Sequence, residues 1–362
     1  MMVGKKFFKA CAVAVLALSC ACGALAKEKV ILDTDMVEGF DDGMAMLMLA
    51  TSPEIELLGV TITLGNTWVA EGTAYALRQL EAVKMEWKIP VMMGIDTPTR
   101  AGRQATLMEE IRTFGSGFDG YWGAYSSVRP DDWKAVYRMK YGHEPTCAPM
   151  DGHAVTFIIE TVRRNPGEVT IVEIGAPCNL AAAIRMAPDI VPLIKRVIYM
   201  GGAFFVPGNT TPRAEFNWWC DPEAARTCVR APFREQIVVP LDACHRMPYG
   251  APKLAELIRL TKNDIIRPMH QAKYDFVYGS GKARFQLFMW DLVAAAVCID
   301  ETLITDSVTA FIDVDTTYGS GYGQALVYVT GVPPLGAQKV KFVTDIDTVR
   351  IWKMIDDLCA SL

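Results

Sequence analysis

Short apolar runs alternate with longer stretches of helical composition along most of the chain. Residues 30–32 (Val-Ile-Leu) read as a short buried strand, and 43–51, rich in Met, Ala and Leu, as a helix. The next strand is expected over 55–64, a helix over 73–84 and a third strand over 90–93. The same rhythm returns further on. Helices are expected over 155–164, 179–186 and 223–229, and strands over 169–174, 197–200 and 236–241. The strands are mainly apolar rather than strictly alternating, which is the pattern of parallel strands covered on both faces. The expected fold is therefore α/β. It is a single domain, residues 27–362, with a mainly parallel Rossmann-like central sheet flanked by helices. Two stretches break the rhythm. Residues 96–150 are rich in Gly, Pro, Trp and Tyr and read as an insertion or lid; residues 246–290 look mostly helical and carry Tyr274, Tyr278 and Trp290.

The first 26 residues do not follow the pattern. Lys5, Lys6 and Lys9 precede an apolar stretch over 10–21, and Ala24-Leu25-Ala26 resembles a small-residue cleavage site. This reads as a signal peptide, so an exported protein, periplasmic or secreted, is expected. Lipidation at Cys20 or Cys22 is the competing reading of the same segment. The apolar run is too short to span a membrane. Without the leader, 33 of the 36 basic residues remain against 41 acidic ones. No basic block stands out, which argues against a nucleic-acid surface. Removal of Cys11, Cys20 and Cys22 leaves seven scattered cysteines, with no C-x-x-C pair and no disulfide framework.

In open α/β sheets ligands bind at the carboxyl ends of the strands. The residues following each expected strand are unusually polar here: Asp33-Thr34-Asp35 with Asp41-Asp42, Gly65-Asn66, Gly175-x-Pro177-Cys178-Asn179, Gly201-Gly202 and Asp242. Four carboxylates within ten residues repel one another unless something neutralises them. A hard divalent cation such as Ca²⁺ or Mg²⁺ would do so, and beside a carboxylate base it makes water a nucleophile. N-capping of the following helix accounts for one or two of the four. A second constellation comprises Asn209, Glu215-Phe216-Asn217 and Asp221-Pro222-Glu223. Its first members suit a polyol such as a sugar, while Asp221-Pro222-Glu223 is a capping signature.

Taken in order, these motifs resemble the inosine-uridine-preferring nucleoside hydrolase family over nearly all of residues 27–362, Trp290-Asp291 included. The resemblance implies hydrolysis of the N-glycosidic bond of ribonucleosides at a site holding one Ca²⁺. It implies Asp35 as general base and metal ligand, with Asp42, Asp291 and the Cys178 carbonyl completing the metal set. Asp41, Asn66, Asn209, Glu215 and Asn217 would hold ribose hydroxyls, with Phe216 lining the sugar pocket. A homo-oligomer, dimer or tetramer, is also implied.

Two departures stand out. Five residues, Met36 to Phe40, separate Asp35 from Asp41, where the family commonly has three. Trp290 stands where many members carry a histidine acid, and resembles the purine-preferring branch, in which a tryptophan stacks on the base. Purine nucleosides are therefore the expected substrates, with Trp290 as the leaving-group activator. Trp122 and Tyr121 are candidates for the opposite face of the base. Tyr274 and Tyr278 resemble a substrate-covering helix, and His245 reads as structural. Two rival readings remain open on the sequence. One is a nucleoside- or ribose-binding protein on a hydrolase scaffold. The other is a haloacid-dehalogenase-type phosphatase with Asp33 as nucleophile, Asp35 as acid/base and Mg²⁺.

Overall fold

The structure, a computed structural model, describes residues 26–116, 122–281, 283 and 285–362. The leader expected over 1–26, apart from Ala26, and Tyr121 lie outside the described residues. Eleven strands occur among those described. They are β1 (Glu28–Thr34), β2 (Ile55–Ile62), β3 (Val91–Met93), β4 (Val169–Glu173), β5 (Arg196–Met200), β6 (Gln236–Val239), β7 (Pro248–Tyr249), β8 (Leu287–Phe288), β9 (Ile304–Val314), β10 (Ala325–Tyr328) and β11 (Gln338–Ile346). Nine form one sheet in the order β10-β9-β11-β6-β5-β4-β1-β2-β3, and β7 pairs with β8 separately. The sheet is parallel except at β9, which runs antiparallel to both β10 and β11.

The chain leaves β1 toward β2 and β3 on one side, then returns to add β4, β5 and β6 on the other. The order therefore reverses between β1 and β4, and a crevice opens beyond their carboxyl ends. Val30, Ile31 and Leu32 of β1 are fully buried, as a strand covered on both faces requires.

Two helices pack beside each other against the sheet: Asp42–Thr51 and Asp291–Ile299. Both are apolar on every face, and all but the last one or two residues of each are buried. A helix buried all round is fixed in place by its packing. These two consequently bring their N-terminal residues, Asp42 and Asp291, to the same end of the sheet.

The described part of residues 96–150, the stretch read as an insertion, contains helices Arg103–Phe114 and Trp133–Tyr141. Arg103 fastens it. The guanidinium is 1% exposed and pairs with Glu110 at 3.0 Å. It also donates to the carbonyls of Trp219 and Cys220, the latter at 2.6 Å, and lies over the Trp219 ring. A buried pair broken on one side costs about 3–5 kcal/mol. Arg103→Met is accordingly expected to destabilise the protein by about 3 kcal/mol and to expose residues 96–150 to limited proteolysis. An unchanged denaturation midpoint and cleavage pattern would show that this anchor is dispensable.

The seven cysteines among the described residues are all buried and free.

Candidate active site

A cavity of about 460 Å³ opens at the switch point. Its walls include Asp41, Asp42, Asn66, Asn209, Glu215, Phe216, Asn217, Trp290 and Asp291, drawn from segments up to 250 residues apart. Nine of the eleven residues expected at the site thus line one cavity. The other two, Asp35 and Cys178, are buried and lie outside its lining.

Asp35 sits just beneath the wall. Its Oδ2 accepts from the Asn66 amide at 2.5 Å, while its buried Oδ1 has no partner. Gly65 makes this approach feasible: a Cβ there would fall 2.0 Å from Asp35 Oδ2. Asp42 accepts from Thr34 Oγ1 at 2.6 Å through Oδ1, and its Oδ2 is likewise buried and unpartnered. Burial, and then the Asp42 charge, push the Asp35 carboxyl well above its ordinary range. Burial, and then the charges of Asp41, Asp42, Asp35 and Glu215, do the same to Asp291.

Asp41 stands at the N-cap of helix Asp42–Thr51, but its side chain makes no capping bond to that helix. Its carboxylate instead receives the backbone amides of Trp290, Asp291 and Leu292 at 2.9–3.4 Å, and so caps the Asp291–Ile299 helix. The N-capping alternative is correct in kind for Asp41 and wrong in target. Burial raises the Asp41 carboxyl to about 7.

The sugar-side residues are held by backbone. Glu215 accepts from the amides of Gly202, Asn217 and Trp218 at 2.8–3.1 Å, and burial pushes its carboxyl up to about 7. Asn217 donates to the carbonyls of Ile174 and Met200, both at 3.1 Å. Asn209 accepts from the Phe216 amide at 2.9 Å. These bonds fix the side chains before any ligand arrives, which is how a preorganised site is built. Asp221 caps helix Pro222–Val229 through Ala224, as its signature suggested, and also receives the Thr99 amide at 2.7 Å.

Several expectations about the base side are corrected. Trp122 is 7% exposed and packs against Trp219 at 6.1 Å, away from the cavity. Tyr274 and Tyr278 contact each other at 5.4 Å and do not line the cavity. Their helix, Ile266–Tyr278, does cover it, through the neighbouring face of Met269, Ala272, Lys273 and Phe276. His245 packs at a tilt against Phe288, with ring centroids 4.4 Å apart, and does not line the cavity. Asp33 is unsuited to nucleophilic attack. It is fully buried, and its Oδ1 is taken by Thr61 at 2.6 Å and Asn179 at 2.8 Å.

The sequence reading missed Lys273 and His270. His270 is fully buried and stacks on Phe40 at 4.4 Å, and a Cβ on Gly39 would meet its ring at 3.0 Å. It therefore packs against the long 36–40 loop. Burial lowers its pKa to about 3, so it stays neutral.

Among the described residues no three acidic, histidine or cysteine side chains converge closely enough to encircle an ion. The donor chemistry nevertheless fits a hard cation. Two buried carboxylate oxygens, Asp35 Oδ1 and Asp42 Oδ2, receive no donor from the protein, and a cation would neutralise the repulsion between these two carboxyls.

The family model for inosine-uridine preferring nucleoside hydrolase matches residues 30–353. The pyrimidine-specific ribonucleoside hydrolase RihB of Escherichia coli is 30% identical over 344 residues, 91% of this chain and 96% of its own. An uncharacterised protein of Schizosaccharomyces pombe is 37% identical over 231 residues, 63% of this chain and 66% of its own. Among solved structures, a plant nucleoside hydrolase superposes with a TM-score of 0.72 at 26% identity, covering 92% of this chain and 99% of its own. The purine-preferring ribonucleoside hydrolase from Gardnerella vaginalis shares the fold, with a TM-score of 0.69 at 23% identity over 92% of this chain and 100% of its own. With almost the whole length matched and the motif residues gathered around one carboxyl-lined cavity, the chain belongs to the inosine-uridine preferring nucleoside hydrolase family.

Proposed function

We propose that this ribonucleoside hydrolase acts on purine nucleosides with a bound Ca²⁺, releasing ribose and the free base. One observation carries the base preference: the Trp290 indole lines the same cavity as Asp41, Asp42 and Asp291. A flat aromatic surface beside the carboxylates gives a bicyclic base more to stack on than a single ring. Asn66, Asn209, Glu215 and Asn217 supply the ribose contacts, with Asp41 as a further acceptor. Phe216 closes the sugar side.

Asp35 takes the proton from the attacking water. Asp35, Asp42, Asp291 and the Cys178 carbonyl would hold the cation. When bound, the cation supplies Lewis acidity that makes water easier to deprotonate. Breaking the C1′–N bond leaves positive charge on the sugar, and the surrounding carboxylates stabilise that charge electrostatically.

A reducing-sugar assay on inosine, adenosine, guanosine, uridine and cytidine tests the substrate reading. Purine nucleosides are expected to be cleaved best. Stacking on a base is worth about 1–3 kcal/mol, so Trp290→Ala is expected to lower kcat/KM on purine nucleosides by about 10- to 100-fold and on pyrimidine nucleosides far less. Pyrimidine preference, the specificity named for the E. coli relative, would sink the stacking role and keep the hydrolase. Tight ribose binding without release of any base would favour the binding-protein reading.

The leader read in residues 1–26 supports export. An intact mass beginning at Lys27 is the expected result for protein recovered from its native host. A lipid-modified Cys20 or Cys22 at the N-terminus would replace the soluble form with an anchored one.

A further inference from the structure

We propose that Lys273 hydrogen-bonds the departing base and delivers the proton that lets it leave. The inference rests on the hydrolytic reading above and goes beyond it in naming the donor. A nucleobase expelled as an anion is a poor leaving group, so a positioned acid contributes substantially to the rate. The indole N–H of Trp290 is not an acid near neutral pH. None of the four histidines lines the cavity. His270 and His245 are packed in aromatic clusters, His153 accepts from the Val155 amide at a helix start, and His143 lies against the Glu144 carbonyl.

The cavity-lining cations among the described residues are Lys140 and Lys273. Lys140 is engaged: its Nζ is 2.6 Å from Glu38 and lies over the Tyr75 ring at 4.4 Å. Lys273 forms no salt bridge with any described residue. It is half-buried on helix Ile266–Tyr278, on the same face as Met269 and Phe276. That face and the Trp290 indole line the same cavity, together with Phe285. An ammonium at the cavity wall that has no hydrogen bond or salt bridge to any described residue is suited to a polar atom of the ligand. Burial pulls Lys273 below the ordinary lysine range, while Asp41, Asp42 and Asp291 oppose that shift and favour the charged form.

The step balances. As the C1′–N bond breaks, its electron pair moves onto the base, and a proton passes from Lys273 Nζ to a ring nitrogen or carbonyl oxygen of that base. Water adds its hydroxyl to C1′ and its other proton goes to Asp35. Exchange with solvent then returns a proton to Lys273 and removes one from Asp35. One water is consumed, and ribose and neutral base are released.

The test compares nucleosides with p-nitrophenyl β-D-ribofuranoside, whose phenolate leaves without protonation. Lys273→Met is expected to lose about 10²- to 10⁴-fold in kcat on inosine or uridine and to keep nearly full rate on the nitrophenyl riboside. Lys273→Arg retains the charge but has no readily transferable proton, so it is expected to fail on nucleosides as well. Equal loss on both substrate types, undiminished nucleoside cleavage by Lys273→Met, or full rescue by arginine would each overturn the assignment. Thermal unfolding of both variants separates loss of the fold from loss of the donor. If the wild type cleaves the nitrophenyl riboside but no nucleoside, this proposal fails while the hydrolytic site stands. If it cleaves neither, the hydrolytic reading fails and takes this proposal with it.

Discussion

Replacing Asp35 by asparagine is expected to lower ribose release by about 10³-fold or more, with the fold intact. The substitution keeps the size of the side chain and an oxygen able to accept from the Asn66 amide, the bond that now fixes Asp35 at 2.5 Å. It removes the ability to take a proton from water. It also removes one of the buried charges that Asp42 and Asp291 must tolerate. Without metal, the variant is therefore expected to melt at a higher temperature than the wild type. Lost activity together with gained stability is the signature of a residue kept for chemistry at the expense of folding. A variant that melts lower and keeps its turnover would make Asp35 a structural residue. Activity is read by the reducing-sugar assay and stability by calorimetry with EDTA present.

The parallel half of the sheet was legible because its strands are mainly apolar runs: 30–32, 169–174 and 197–200 each sit inside an observed strand or extend one residue past it. The C-terminal strands were not. In β9, polar residues such as Asp306, Ser307 and Thr309 interrupt the apolar ones, as in a strand with one wetter face. No helix separates β9 from β10 or β10 from β11, so the β-α-β rhythm that betrayed the earlier strands is missing. Strand-end position alone pointed to Asp41, Asp42 and Asn66, because a parallel sheet collects its loops at one edge. Asp291 needed the resemblance. Nothing local marks the start of an alanine-rich helix as the neighbour of Asp42, and only the side-by-side packing of two buried helices makes it so. Lys273 and His270 escaped for a related reason. Which face of Ile266–Tyr278 meets the cavity depends on how the helix lies over the 36–40 loop, and helical spacing in sequence favours the tyrosine pair equally well.

Chelation is expected to abolish turnover and to make stability fall as pH rises. Burial raises the carboxyls of Asp41 and Glu215 to about 7 and that of Asp33 to about 6 in the folded protein. In the unfolded chain such groups titrate near about 4. Below that pH both states are protonated and burial carries no charge penalty. Between about 4 and 7 the folded state retains protons that the unfolded state has released, so the stability of the metal-free protein declines through this window. Above about 7 these groups are charged in both states and the full penalty is present. A divalent cation is expected to reverse the trend, because the proposed ligands Asp35, Asp42 and Asp291 would bind it in their deprotonated form, and so better as pH rises. At a concentration about 100 times its Kd it adds about 2.7 kcal/mol, or roughly 5 °C for a domain of this size. The expected scans therefore diverge: with EDTA the melting temperature drops from pH 5 to pH 8, and with Ca²⁺ the curve flattens, the gap being widest at pH 8. Ribose release should disappear in EDTA and return with Ca²⁺. Superimposable melting curves across that range, with full turnover in EDTA, would remove the cation from this site and leave the two unpartnered carboxylate oxygens to be satisfied by protons alone.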